Sequence, residues 1–366
     1  MKILCFIDNL GSGGAQRQLV NLALMFKEYG HEVRFLTYGK ADFFKGALDI
    51  SNIQVDCIID TGIIDRILKV RKNIRAGDQD VVISFLDTPN FLACFSTIGG
   101  RKWKLITNEL SANITSFNSK KGQLFKWFAR FSDVIVCNSR NAQNIWEEYY
   151  PKYKEKLMTI YNPVLLPEIQ ANYHPLKDGI LHMVVAASYQ YIKNMDGLIE
   201  AVNMLSNEYK TCLQVDWYGA IEVTVGNTEA YFSALEKIDR YRLQDIIILH
   251  EAIKDIIQRM ADSDIIGLFS KYEGLPNAIC EGMSLGKPII MTRVSDYNIL
   301  VDETNGLLCD FNNSQTIKEA LQKALKLSVD EIHKMGGISK EKSLILFNKQ
   351  LITECWINLL NSIEKG

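Results

Sequence analysis

Two acids, Glu273 and Glu281, bracket the run Glu273-Gly274-Leu275-Pro276-Asn277-Ala278-Ile279-Cys280-Glu281. The apolar segment Ile265–Phe269 precedes it and reads as a buried strand. Gly274 turns the loop, and a helix is expected to open at Pro276. Proline suits the first helical position, where its missing N–H would be unpaired anyway. The amides of Asn277, Ala278 and Ile279 would then point out of the helix start, forming a site for an anion or for sugar hydroxyls. Glu273 reaches that site from the loop and Glu281 from the helix face. A ligand with phosphate at its centre and hydroxyls at both ends fits such a pattern, and a nucleotide sugar is one. A loop acid, a helix-surface acid and a loop proline without any ligand would give the same letters.

A second phosphate-friendly turn lies near the start. The strand Lys2–Ile7 runs through Asp8 into Gly11-Ser12-Gly13-Gly14-Ala15-Gln16. A helix follows, with Leu19, Leu22, Ala23 and Phe26 at helical spacing, and then the strand Glu32–Thr37. This is a βαβ unit with a glycine-rich first turn. The dinucleotide fingerprint would need glycine at Gln16, and the second strand ends Thr37-Tyr38-Gly39 without the acid that holds a ribose, so a nicotinamide dehydrogenase fits poorly. Asp78-x-Asp80 and Asp262-x-Asp264 match a metal-binding Asp-x-Asp pattern, but both directly precede a strand, where acids commonly close a turn. No metal site is expected.

With 366 residues, 47% of them apolar, the chain has material for two cores. It has no apolar run long enough to span a membrane, and its start is too short for a signal peptide. Its 8 cysteines are scattered without Cys-x-x-Cys spacing, which argues against zinc and disulfide frameworks and for the cytoplasm. The net charge of −2 divides unevenly: residues 1–165 hold 22 Lys+Arg against 16 Asp+Glu, the remainder 19 against 27. Strand–helix alternation runs to Ile160. Residues 160–179 then hold Pro163, Pro167 and Pro175 without periodicity and read as a linker. Alternation restarts with strands expected at 181–187, 213–218, 245–250, 264–269 and 288–292.

The Glu273-x7-Glu281 spacing, the Gly13-Gly14-Ala15-Gln16 turn and the doubled alternation resemble the family-4 retaining glycosyltransferases of GT-B fold. Within that family the chain looks like bacterial members acting on lipid-linked or surface-polysaccharide precursors. The resemblance implies an α/β fold of two Rossmann-like, doubly wound parallel-sheet domains facing a cleft. The acceptor-side domain would be 1–164 and the nucleotide-sugar domain 165–342, with 343–366 a helix packing back on the first. It implies a metal-independent transfer from a nucleotide-diphosphate sugar, expected to be UDP-linked, with no cofactor beyond that donor.

By the same resemblance, Glu273 contacts sugar hydroxyls near the reaction centre and Glu281 accepts from the ribose. Gly274, Leu275, Pro276, Asn277, Ala278 and Ile279 hold sugar and phosphates, and Gly13 and Gly14 lie against the donor from the other domain. The family's Arg-x4-Lys pair, which stabilises the departing diphosphate, reads Ser188 and Lys193 here, with Asn194 beside them. Lys193 is the catalytic cation; Ser188 removes a charge that Arg293 is a candidate to replace. A lysine opening a solvated helix is the plainer reading of Lys193 alone. The histidine many members carry after the strand Trp103–Thr107 is missing, and Asn108-Glu109-Leu110-Ser111 stands there. Glu109 is read as a sugar contact, with a structural cap as the open alternative.

Two basic segments complete the inventory. Thr61–Arg75 carries Arg66, Lys69, Arg71, Lys72 and Arg75, and Ser119–Phe131 interleaves Lys120, Lys121, Lys126 and Arg130 with Phe125, Trp127, Phe128 and Phe131. They are either solvated faces or a peripheral contact with an anionic membrane at its inner face, which a lipid-linked acceptor would make useful. No nucleic-acid motif accompanies them. A sugar-nucleotide-binding partner without activity, or a nucleotide-sugar epimerase of the same shape, remains the alternative reading.

Overall fold

The computed structural model describes residues 1–59, 62–110, 114–169, 173–222 and 226–364. Thr61, at the expected start of the first basic helix, and Ser111 to Asn113, in the loop after Glu109, lie outside the described residues. The chain divides into two compact units, Met1–Pro163 with Lys349–Gly366, and Val164–Asn348.

The first unit is a parallel sheet of seven strands: β1 Lys2–Phe6, β2 Glu32–Thr37, β3 Gln54–Cys57, β4 Val81–Phe85, β5 Lys104–Glu109, β6 Val134–Cys137 and β7 Leu157–Thr159. Their order is β3-β2-β1-β4-β5-β6-β7. Both faces are covered, as an all-parallel sheet requires. Leu4 and Phe6 of β1, with Leu36, Val82 and Leu105, pack under Val70 and Ile74 of the Ile63–Ala76 helix and Leu92 to Cys94 of the Asp87–Ser96 helix. Ile3, Cys5 and Ile7 point the other way, onto Leu19, Leu22, Ala23 and Phe26 of the Gly14–Glu28 helix and onto Ile352, Trp356 and Leu360 of the closing helix Lys349–Glu364. Trp356 meets Phe26 edge to face at 6.0 Å, and Lys349 pairs with Glu28 at 2.6 Å.

The second unit holds six parallel strands: β8 Leu181–Ala186, β9 Leu213–Gly219, β10 Ile247–Glu251, β11 Ile265–Leu268, β12 Ile289–Thr292 and β13 Gly306–Cys309. They are ordered β10-β9-β8-β11-β12-β13. Three short strands, β3, β7 and β13, were not expected from periodicity; at three or four residues each they are too brief to show it. Ser343, expected to begin the closing segment, instead lies inside the Val329–Leu346 helix of the second unit. Among the described residues, no helix is long and apolar enough to cross a membrane.

Candidate functional site

Open parallel sheets bind ligands outside the carboxyl ends of their strands, where the strand order reverses. In the second unit that point lies between β8 and β11. The loops leaving these two strands carry the site residues expected from sequence. After β8 the chain makes a short turn over Tyr191–Lys193, and Asn194, left-handed at φ 58°, starts the Met195–Asn203 helix. After β11 comes Ser270 to Pro276. The loops are joined where the Lys271 amide donates to the Ile192 carbonyl at 2.8 Å.

Lys193 Nζ donates to Glu273 Oε1 at 2.6 Å, and Ser270 Oγ donates to the same oxygen at 2.6 Å. Thr292 Oγ1 in turn holds the Ser270 carbonyl at 2.7 Å. The lysine and glutamate side chains remain 22% and 14% exposed, so the pair is neither buried nor loose in solvent. It sets a cation and a carboxylate beside one another at the strand ends, ready to address an anion and a hydroxyl respectively.

The helix after this loop spans Asn277–Ser284, with Pro276 as its N-cap rather than its first residue. The shift changes which amides the helix itself engages. The Pro276 carbonyl accepts from Ile279 at 3.0 Å and from Cys280 at 3.1 Å, so the Ile279 amide, expected to point outward, is engaged within the helix. Asn277 and Ala278 lie between that carbonyl and the first amide it engages, Ile279. The Gly274 carbonyl accepts from the Ser295 hydroxyl. The side chains of Leu275 and Ile279 are buried core, so any ligand contact they make is through backbone. Glu281 is only 8% exposed, in a helix whose Gly282 lies directly against Ile266 of β11.

Other expected residues are engaged in the protein itself. Asn194 Nδ2 donates to the Phe311 carbonyl at 2.9 Å, anchoring the lysine loop. Ser188 Oγ accepts from Gln190 Nε2 at 3.0 Å. Arg293, the candidate replacement for the missing arginine, pairs with Asp310 at 2.8 Å, both half-exposed. The second aspartate of each Asp-x-Asp run holds distant segments of the chain: Asp80 accepts from the Lys2 amide, and Asp264 from the Tyr173 hydroxyl and the Leu176 and His182 amides.

In the first unit, Gly13 caps the Gly14–Glu28 helix, and the Gln16 side chain folds back over it to reach Asp8 Oδ1 at 3.0 Å. Glu109 ends β5, 6% exposed, and accepts from Lys126 and, at 2.9 Å, from Trp146 Nε1. Lys126 also reaches Asp87 at 3.0 Å. Burial pushes the Glu109 carboxyl up against the opposing pull of Lys126. Burial works against the Lys126 ammonium too, but Glu109 and Asp87 outweigh it and the net direction is up. Lys126 and Trp146 were missed as Glu109's partners, and Asp87 as the second partner of Lys126. Helical spacing held the clue for the lysine: Gly122, Lys126 and Ala129 share one face, and all three are buried.

Residues 12–166 match the family described as Glycosyltransferase Family 4, and residues 180–326 match Glycosyl transferases group 1. An alpha-1,4-N-acetyl-D-galactosaminyltransferase of Campylobacter jejuni, named for GalNAc-alpha-(1->4)-GalNAc-alpha-(1->3)-diNAcBac-PP-undecaprenol, is 25% identical over the full length of both chains. An uncharacterised glycosyltransferase of Methanocaldococcus jannaschii is 27% identical over 62% of this chain, which spans only 59% of that relative's length. Among solved structures, Anabaena HepE in complex with UDP-glucose superposes with a TM-score of 0.87 at 17% identity, covering 99% of this chain and all of that one. A glycosyltransferase of Rickettsia africae gives 0.82 at 19%, over 100% and 99% of the two chains. These superpositions establish the shared fold.

Proposed function

The chain belongs to the family-4 glycosyltransferases of GT-B fold, and from that premise we propose that it moves a sugar from UDP to a lipid-linked oligosaccharide or surface-polysaccharide precursor, with retention at the anomeric carbon. The observation that carries the reading is the Lys193–Glu273–Ser270 group at the β8/β11 switch point, with buried Glu281 on the following helix. The relatives support the donor and acceptor classes: one solved neighbour holds UDP-glucose, and one full-length relative is named for an undecaprenol-linked glycan.

In this reading the difficult step is departure of UDP, because negative charge grows on the bridging oxygen. Lys193 and the amides of Asn277 and Ala278 stabilise that charge without a metal. Glu273 orients the transferred sugar, its own position fixed by Ser270, while Glu281 accepts from the ribose hydroxyls. Glu109, held by Lys126 and Trp146, shapes the acceptor side. The enzyme works at the cytoplasmic face of an anionic membrane.

Incubation with a panel of UDP-sugars and an undecaprenyl-diphosphate glycan, in the presence of EDTA, tests this reading. Transfer from one donor, with the product anomer matching the donor's by NMR, is the expected outcome. Inversion, abolition by EDTA or the absence of transfer with every donor counts against it. Sugar isomerised without an acceptor would indicate the epimerase instead.

A further inference from the structure

Left-handed residues flank β12 at both ends. Gly286, before the strand, sits at φ 73°, where a residue without Cβ meets no penalty. Ser295, after it, sits at φ 56°, a region that strains a residue carrying a Cβ. Glycine would serve at Ser295 too if the turn were all that mattered. What glycine lacks is the hydroxyl, which donates to the Gly274 carbonyl in the neighbouring loop. Asn194, in the loop after β8, repeats the arrangement: it is left-handed at φ 58°, and its side chain holds the Phe311 carbonyl. Residues kept strained in this way cluster at functional sites.

The Ser295 bond completes a clamp. Thr292, the last residue of β12, donates to the Ser270 carbonyl at 2.7 Å, and Ser295 donates to that of Gly274. The two bonds hold both ends of the segment that carries Glu273. Between the two donors the Val294 amide closes a tight turn onto the Thr292 carbonyl at 2.8 Å, which fixes their spacing.

The consequence falls on one peptide plane. In a trans peptide the carbonyl and the amide that follows it point in opposite directions. With the Gly274 oxygen drawn to Ser295, the Leu275 N–H is turned away from the β12 loop. Leu275 is 5% exposed, and its amide has no hydrogen-bond partner among the described residues. Buried amides without a partner are rare, and this one stands between Glu273 and the helix start at Pro276. An N–H fixed in direction needs no reorganisation when negative charge grows before it. The site has use for such a donor, since Ser188 carries no charge and Arg293 is paired with Asp310.

We infer that Ser295 is a positioning residue for the transfer: through the Gly274 carbonyl it aims the Leu275 amide at the oxygen that leaves with UDP. This rests on the donor class proposed above. Ser295 itself touches no substrate. Its hydroxyl sets the direction of the amide, and its left-handed backbone brings the hydroxyl within reach of the loop.

Ser295→Ala and Ser295→Gly separate the hydroxyl from the backbone. Both delete the bond to Gly274, but only alanine keeps the strain, so urea unfolding should place the glycine variant above the alanine variant. Activity should not follow that order. In both variants kcat is expected to fall alike, by about tenfold or more, with KM for the UDP-sugar within about threefold of wild type. UDP bears in full the charge that grows during transfer, and calorimetric titration should show it binding about tenfold more weakly to both. A glycine variant that regains wild-type kcat and UDP affinity as it regains stability overturns the inference, because Ser295 then serves the fold alone. A loss confined to KM overturns it as well, and so does equal UDP affinity in wild type and variants. If wild type turns over no UDP-sugar, the reading of function fails, while an equal loss of UDP affinity in both variants would still uphold the aim of the Leu275 amide.

Discussion

The roles proposed for Lys193 and Glu281 differ, and kinetics separates them. A carboxylate accepting ribose hydroxyls acts equally in ground and transition states, so Glu281→Gln should raise KM or donor Kd by about tenfold to a hundredfold and leave kcat nearly untouched. Lys193→Met should lower kcat by about a hundredfold or more, because its charge matters most as the diphosphate departs. Equal effects on both constants from both variants would remove the distinction. A third residue offers a prediction about stability. Lys287 is 4% exposed, with its ammonium 3.2 Å from the centre of the Tyr173 ring, and burial lowers its pKa from 10.5 to about 8. Between those values the unfolded chain binds the proton that the folded chain has lost, so stability rises with pH across that window, and the full penalty applies below it. Urea unfolding should show wild type gaining on Lys287→Met, by up to about 3 kcal/mol, as pH rises from about 8 to about 10.5. A constant difference between the two would refute the assignment.

Helix and loop placement decide whether these side chains reach anything. Gly282 is the contact on which the Glu281 helix rests: a Cβ there would stand 2.7 Å from Ile266 Cγ1 and 3.0 Å from its Cβ. Gly282→Ala must therefore lift the helix from β11, with an expected cost of about 1–3 kcal/mol and weaker donor binding, measured by urea titration and donor titration on the same protein. Unchanged stability would mean the helix is not seated as described. Position and spacing made this element legible from sequence: an apolar strand, a glycine turn, a proline and then a helix. Its first residue was not, since proline serves as cap or as first helical residue, and only the Pro276 carbonyl's two bonds decide between them. Glu109 shows the same boundary. Its place at the end of β5 follows from hydrophobic pattern, but its partners arrive from helices 17 and 37 residues away. Short edge strands fail for another reason, since β3 is only half-buried and shows neither alternation nor a continuous apolar run.

At the scale of the whole molecule, the chain builds two cores and threads between them twice, leaving the first unit at Pro163 and returning at Lys349. Each sheet is covered on its own faces, so each unit has the makings of an independent cooperative transition. Calorimetry should then resolve two transitions, and a UDP-sugar should raise only the one belonging to Val164–Asn348, by about 2.7 kcal/mol of stabilisation at a hundredfold excess over Kd. Truncation after Asn348 tells the two apart. It strips Ile352, Trp356 and Leu360 from the core that holds Phe26, so the first unit's transition should fall or vanish. The second should keep both its temperature and its ligand shift, because none of its core residues lies beyond Asn348. A single transition that the nucleotide moves as a whole, or a truncation that abolishes the ligand shift, would show instead that the donor unit depends on the closing helix for its fold.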